Sequence, residues 1–527
     1  MNQRAQLLVQ GQVSLNKLPR AILELGSIFA RSGEELALVG GPVRDAFLGQ
    51  PIHDFDFTTS ARPDKTAQLL DEWGDTTWDI GKEFGTIGAA RSGLVVEVTT
   101  YRSESYDPHS RKPEVVYGDS LEGDLTRRDF TVNAMAVRLP HMELVDPCGG
   151  VDDLIAGVLE TPAPAEQSFD DDPLRIMRAC RFASQLDFDV SERVMRAMAD
   201  MAQRLSIVSV ERINSELTRL MTGIYPRKGL ELMVETGVCD VVLPEFSQLR
   251  DISDEHGRHK DVFEHTLTVL DQAIELETED DGPVPRPDFI LRFAALMHDI
   301  GKPATRRFEP DGTVSFYAHD IVGARLTRKR MNQLRFDKAT TKAVSRLVEL
   351  HMRFHGYGDS AWSDSAVRRY VTDAGELVER LNRLTQADCT TRNRRKAARI
   401  LHGIHDLERR IAELKAQEEI DAIRPDLDGT QIMELLQLPP GRQVGHARKF
   451  LLELRMEEGP LGEAEATRRL LQWWEENRPD RAEVAVSDVA ADREAASHPD
   501  TSDTATSDRA TSDTVTSDTA NTDATTS

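Results

Sequence analysis

The sequence predicts an α+β chain: a mixed-sheet head, a long all-helical body behind it, and an acidic tail outside both. Three observations predict it. Short β-branched and aromatic runs bounded by glycine are confined to the first 165 residues, as in "ELALVGG" (35–41), "HDFDFTTS" (53–60) and "GTIGAARSGLVVEVTTYR" (85–102). From "DDPLRIMRACRF" (171–182) onward, apolar residues recur at helical spacing, in "SERVMRAMADMAQRL", "VERINSELTRLM", "DFILRFAALMHDI" and "TKAVSRLVELHM". Finally, "TSDTATSDRATSDTVTSD" repeats small polar residues that cannot bury enough apolar surface to offset chain entropy. The expected divisions are a head at 1–165, a helical neck at 166–240, a histidine-bearing domain at 241–400, a further helical segment at 401–481 and a disordered tail at 482–527.

Within the head, "RAILELGSIFARSG" reads as an amphipathic helix stopped by glycine, and "ELALVGG" as a short buried strand running into a glycine turn. "HDFDFTTS" alternates polar and aromatic residues, the pattern of a half-buried strand. "GTIGAARSGLVVEVTTYR" reads as two strands turned at Ser92-Gly93, and "HMELVDPCGGVDDL" as another strand and turn. The long polar stretch "YRSESYDPHSRKPEVVYGDSLEGDL" is expected to be a mobile loop.

Bulk composition narrows the classes. The formal net charge is -25, of which -8 lies in the tail from Asp480 onward. Basic clusters at "ARLTRKRMNQLR" (324–335) and "TRNRRKAAR" (391–399) leave room for local phosphate contacts, because screening confines each field to about 8 Å. Cys148, Cys180, Cys239 and Cys389 are scattered, which is neither a disulfide framework nor a metal knuckle. There is no apolar run long enough for a membrane span and no secretory signal pattern at the start, so a cytoplasmic protein without a membrane role is expected.

The chemistry gathers at "GGPVRDAFLGQPIHDFDF" (40–57). Residues two apart on a strand share a face, so Asp54 and Asp56 project together while Phe55 and Phe57 turn into the core. Adjacent carboxylates repel unless a cation sits between them, and Mg²⁺ suits a pair of carboxylates with phosphate oxygens. The backbone at Gly40-Gly41 can approach a phosphate, and Arg44 can reach the same group. Glu97, on a strand able to lie beside this one, offers a third carboxylate or is simply an exposed strand acid. In "DDPLRIMRACRF", Pro173 suits a first helical turn, and Arg175, Arg178 and Arg181 fall in one stripe. A carboxylate such as Asp172 accepts from the amino group of cytosine or adenine, and Arg175 donates to the ring acceptors beside it. Guanine and uracil clash with that pair.

"GGPVRD…DFDFTT" resembles the nucleotidyltransferase signature of the DNA-polymerase-β superfamily. With "RRDFTVNAMA" (127–136), "DPCGGVDDL" (146–154) and "DDPLRIMRACRF", the chain resembles the class II CCA-adding tRNA nucleotidyltransferases and bacterial poly(A) polymerases through about residue 475. The resemblance implies a polymerase-β-like head with Asp54, Asp56 and Glu97 as catalytic acids, the two aspartates holding Mg²⁺. It implies nucleotide binding by Gly41, Arg44, Arg128, Asp172, Arg175, Arg178 and Arg181, with Arg128 preferred over Arg127. Asp171 stands where the family usually has glutamate, which shortens that arm. A flexible loop before "RRDFTVNA" goes in this family with the switch from C to A addition.

In the body, His265, His298-Asp299 followed by "IGKP", and Asp388 resemble an HD phosphohydrolase domain and imply a divalent-metal site. An HD fold kept only as RNA-binding scaffold is the other reading. His319, His351 and His355 lie between. The implied activity is template-independent addition of C, C and A to the tRNA 3′ end from CTP and ATP by a two-metal mechanism, with no stable protein partner. Alternatives are a poly(A) polymerase, a metal-dependent HD phosphohydrolase with a nucleotide-binding head, and a non-catalytic RNA-binding protein, against which the repelling DxD acids argue.

Overall fold

The computed structural model describes the chain apart from residues 1–2, 53, 80, 106–113, 253–261, 280, 355–361, 392, 418–422 and 479–527. The tail expected to be disordered, the centre of the expected loop and His355 therefore lie outside the described residues.

The head is built on a seven-stranded sheet. Its strands are β1 (Leu36–Val39), β2 (Phe55–Thr59), β3 (Thr76–Trp78), β4 (Thr86–Arg91), β5 (Leu94–Thr100), β8 (Ala136–Leu139) and β9 (Glu143–Val145), while β6 (Arg102–Ser105) and β7 (Glu114–Tyr117) form a separate hairpin. The order across the sheet is β3-β4-β5-β2-β1-β8-β9. All of β1 is buried, as a central strand covered on both faces should be. On β2 the predicted alternation holds: Phe55 and Phe57 are buried and Asp56 between them is exposed. Ile22, Leu25 and Phe29 of the helix Arg20–Arg31 are fully buried in the same core. Burying a side chain such as Phe57 contributes about 1.5–3 kcal/mol.

The one parallel pairing in this sheet is β2 with β5, and it sets Asp56 directly beside Glu97. The β4–β5 turn takes left-handed backbone at Ser92 and Gly93, as the sequence predicts. The stretch 101–125 departs from expectation. Its described parts are not loop but the antiparallel hairpin β6–β7 and a short helix, Leu121–Thr126, capped by Ser120. Backbone pairing between Arg102 and Tyr117 outweighs the polar, proline-bearing composition that suggested a loop.

Behind the head, the elements among the described residues are helices apart from two-residue strands. The described residues up to 417 form one compact unit and those from 424 to 478 another. A 24-residue helix, Arg394–Gln417, runs through residue 400. In the second unit the helices Gly429–Leu436, Arg442–Glu458 and Glu463–Asn477 enclose Ile432, Leu451 and Leu470, with Phe450 stacked on Trp473 at 4.9 Å. Among the described residues no helix is long and apolar enough to cross a membrane.

Candidate active site

Strand β1 is followed by Gly40, whose φ of 73° suits glycine. A β-carbon there would stand 3.3 Å from Arg128 Nη1. The chain then enters the helix Gly41–Phe47 with Pro42 in its first turn. Gly40, Gly41 and Arg44 open onto a cavity of about 360 Å³ that Asp54, Asp56, Arg128, Arg178 and Arg181 also line. Head and neck thus place in one space residues as far apart in sequence as Gly40 and Arg219.

The charges around this cavity sort into two groups. Nearly all the arginines are held. Arg44 donates to Asp45 at 2.9 Å and to Asn133 at 2.8 Å. Arg128 donates to Asp124 at 3.2 Å, and Arg178 to Asp129 at 2.8 Å. Arg181 donates to Glu216 at 2.6 Å. Phe182 lies under three guanidiniums, those of Arg181, Arg44 and Arg178, at 3.9, 5.3 and 5.4 Å. Although burial works against its charge, Asp129 is held well below the ordinary carboxylate range by the Arg178 guanidinium. Asp124 is likewise held low, against burial, by Arg128 and Arg127. Burial and Glu216 pull Arg181 in opposite directions, and burial prevails, leaving it at about 10.

The carboxylates Asp54, Asp56 and Glu97 behave differently. Among the described residues, Asp54, Asp56 and Glu97 accept no hydrogen bond and form no ion pair. The carboxyl of Asp56 is pushed up, first by removal from bulk water, then by Glu97 and, more weakly, by Asp54, while Arg128 pulls the other way. Three oxygen-rich groups left without partners, one of them reluctant to ionise, fit a hard divalent cation.

Asp172 and Arg175 are arranged less simply. Asp172 closes the preceding helix and accepts from Arg212 at 2.8 Å. Arg175 donates to Ser168 at 2.8 Å and to the Arg127 carbonyl at 2.7 Å. The two side chains take different partners, and neither lines the main cavity. Arg175 instead lines an adjoining recess of about 300 Å³ with Thr99, Arg102, Asp124, Arg127 and Arg128. Arg128 faces both spaces and Arg127 only the recess. Asp45, Asp129, Asn133, Phe182, Glu216 and Arg219 were not foreseen as site residues. Asp129 follows Arg128 directly, and Phe182 follows Arg181, so both lay within the quoted motifs.

A second centre lies in the helical body, where helix ends bring histidines and acids together. His265 Nε2 lies 3.1 Å from Asp388, and His298 Nε2 lies 3.2 Å from Asp299. His319 and His351 join them, their Nε2 atoms 3.2 Å apart. The Nδ1 atoms of His298, His319 and His351 each meet a backbone carbonyl three residues earlier, at 2.7, 2.9 and 2.7 Å. That contact fixes the ring and leaves Nε2 aimed inward. Two triads capable of holding a metal, His265–His298–Asp299 and Asp299–His319–His351, share Asp299. Its Oδ2 is buried and accepts no hydrogen bond, although Lys302 Nζ stands 2.7 Å away. Against burial, His298 and Lys302 hold Asp299 far below the ordinary range, and Asp299 raises His298 to about 8. Burial lowers His351 to about 4.

Comparison with known proteins matches these parts in order. Residues 36–160 match the poly A polymerase head domain, 187–249 the "probable RNA and SrmB- binding site of polymerase A", and 262–393 the HD domain. An A-adding tRNA nucleotidyltransferase of Deinococcus radiodurans is 33% identical over 452 residues, 84% of this chain and 96% of that protein. The chain belongs to the tRNA nucleotidyltransferase family. A family member from Streptococcus thermophilus, a CCA-adding enzyme, is 41% identical over 218 residues, 41% of this chain and 53% of that enzyme, so the chain matches about half its length. The crystal structure of Bacillus stearothermophilus CCA-adding enzyme in complex with CTP shares the fold. Its TM-score is 0.61 at 22% identity, over 86% of this chain and 96% of that one.

Proposed function

We propose that this chain adds C, C and A in turn to the 3′ end of tRNA, without a template, using CTP and ATP and releasing pyrophosphate. The observation that carries this is the head cavity, where partnerless carboxylates face arginines already fixed in place. Asp54, Asp56 and Glu97 would hold Mg²⁺, since hard oxygen donors and the raised carboxyl of Asp56 both call for a cation. Bound there, a pair of such ions would supply the acidity and charge neutralisation of two-metal phosphoryl transfer.

The chain's own residues do the rest. Gly40 and Gly41 let the backbone come close to phosphate, and Arg44, oriented by Asn133, meets the same oxygens. Arg178 and Arg181 donate along the phosphates without having to find their orientation first, because Asp129 and Glu216 already fix them. Asp172 and Arg175 read the base edge, exchanging their bonds to Arg212 and Ser168 for bonds to cytosine or adenine.

The HD centre would hold a divalent metal on His265, His298, Asp299 and Asp388. The inward Nε2 atoms and the Asp299 carboxylate shared by both triads support this, and His319 with His351 offers a second seat. The cytoplasm is the compartment in which we place the reaction.

A second reading, addition of the terminal A alone, is favoured by the A-adding relative that the chain matches over 96% of its length. The test supplies CTP and ATP, separately and together, to tRNA lacking its 3′ end and to tRNA ending in CC, then sequences the products. CCA on the first substrate is expected. A added only to the CC end supports the second reading, and long A tails would mark a poly(A) polymerase.

A further inference from the structure

We infer that Arg219, on the neck helix Val210–Met221, binds the terminal phosphate of the incoming nucleotide. The inference rests on the proposed nucleotidyl transfer and deepens it. Arg219 lines the head cavity beside Asp54, Asp56, Arg178 and Arg181. Each of the other cavity arginines has a carboxylate of its own: Arg44 with Asp45, Arg128 with Asp124, Arg178 with Asp129 and Arg181 with Glu216. Arg219 is exposed, and among the described residues its guanidinium has no hydrogen-bond or ion-pair partner. The pairs largely cancel. What remains is negative at the metal-site acids and positive at Arg219, two separate demands on a ligand that carries both a cation and anionic oxygens.

The position along the helix selects the terminal phosphate. The helices Leu174–Leu186 and Val210–Met221 run in the same direction, tied at one end by Arg212 to Asp172 at 2.8 Å. They are tied in the middle by Arg181 to Glu216 at 2.6 Å, and at the far end by Ser184 to the Leu220 carbonyl at 2.6 Å. A base read at Asp172 and Arg175 lies at the first end, and phosphates held by Arg178 and Arg181 run toward the second. Arg219 sits at that second end, one turn beyond Glu216. The terminal phosphate carries the most charge of the three and belongs to the leaving pyrophosphate, so a free guanidinium there stabilises the group that departs.

The test measures binding of CTP, ATP and CDP to the full-length protein in Mg²⁺ without RNA, for wild type, Arg219→Ala and Arg219→Lys. Arg219→Ala is expected to weaken CTP and ATP by the same factor, about tenfold, and to leave CDP unchanged, with Arg219→Lys in between. Affinity for tRNA is expected to stay at the wild-type value. Equal losses for CTP and CDP, a loss confined to tRNA, or unchanged CTP binding would each overturn the assignment. Wild-type nucleotide addition is assayed on the same preparation. Its absence would defeat the proposed function, whereas normal addition with unchanged Arg219→Ala affinity would defeat this inference alone.

Discussion

The two centres of this molecule solve the problem of concentrating charge in opposite ways. In the head, Asp56 stands on a strand parallel to that of Glu97 and directly opposite it, without partners, and Asp56 with Asp54 opens onto a cavity. In the body, the acids and imidazoles sit at helix ends, almost wholly buried, and face one another at 3.1–3.5 Å. The first arrangement leaves room for a large, changing ligand such as a triphosphate. The second closes around something the size of an ion. An exposed site on a sheet depends on the strand behind it for position, whereas a buried one depends on its own ligands.

That contrast can be broken first at the strand. Phe57→Ala removes the buried side chain one residue from Asp56 and should cost about 3–5 kcal/mol in denaturant unfolding. A loss under 1 kcal/mol would mean the seat does not rest on this core. The body is tested by Asp299→Asn, which removes charge from the carboxylate shared by both triads. Added divalent metal should raise the wild type's unfolding temperature through the HD centre. At 100 times the dissociation constant this is worth about 2.7 kcal/mol. The variant should lose that shift while nucleotide addition stays within about twofold.

The smallest effect concerns pH. Asp129 has its pKa depressed in the fold, so its pairing with Arg178 stabilises above the unfolded value of 3.8 and is lost as pH falls toward the folded one. The stability gap between wild type and Asp129→Asn should therefore be constant above about pH 4 and narrow below it, as urea midpoints would show. A gap that widened on acidification would reverse the assigned sign.

Much of this contrast was legible in the sequence, and the gaps have physical causes. Asp54, Asp56 and the adjacent Glu97 strand could be read because strand period and turn chemistry are local. The Arg178–Asp129 and Arg181–Glu216 pairs span 49 and 35 positions, and nothing local links them. Helical spacing put Arg175 on a face with Arg178, but it could not show that Arg175 would meet the Arg127 carbonyl, since a backbone acceptor leaves no trace in residue identity. The sequence places His319 and His351 only after His298, and their convergence depends on how four helices pack. The polarity of 101–125 points to a loop, but cross-strand hydrogen bonds pair its described flanks, Arg102–Ser105 with Glu114–Tyr117, and such pairing leaves little trace in composition.

The most direct test of the central claim is nucleotide addition by Asp56→Ala beside wild type, with CTP, ATP and Mg²⁺ on tRNA lacking its 3′ end. Addition should fall by more than about 10³-fold, roughly 4 kcal/mol of lost transition-state stabilisation. The metal-dependent shift in unfolding temperature at the HD centre should remain. Addition by Asp56→Ala at near the wild-type rate would contradict the account, because the unpaired acids of the head would then not be where the reaction takes place.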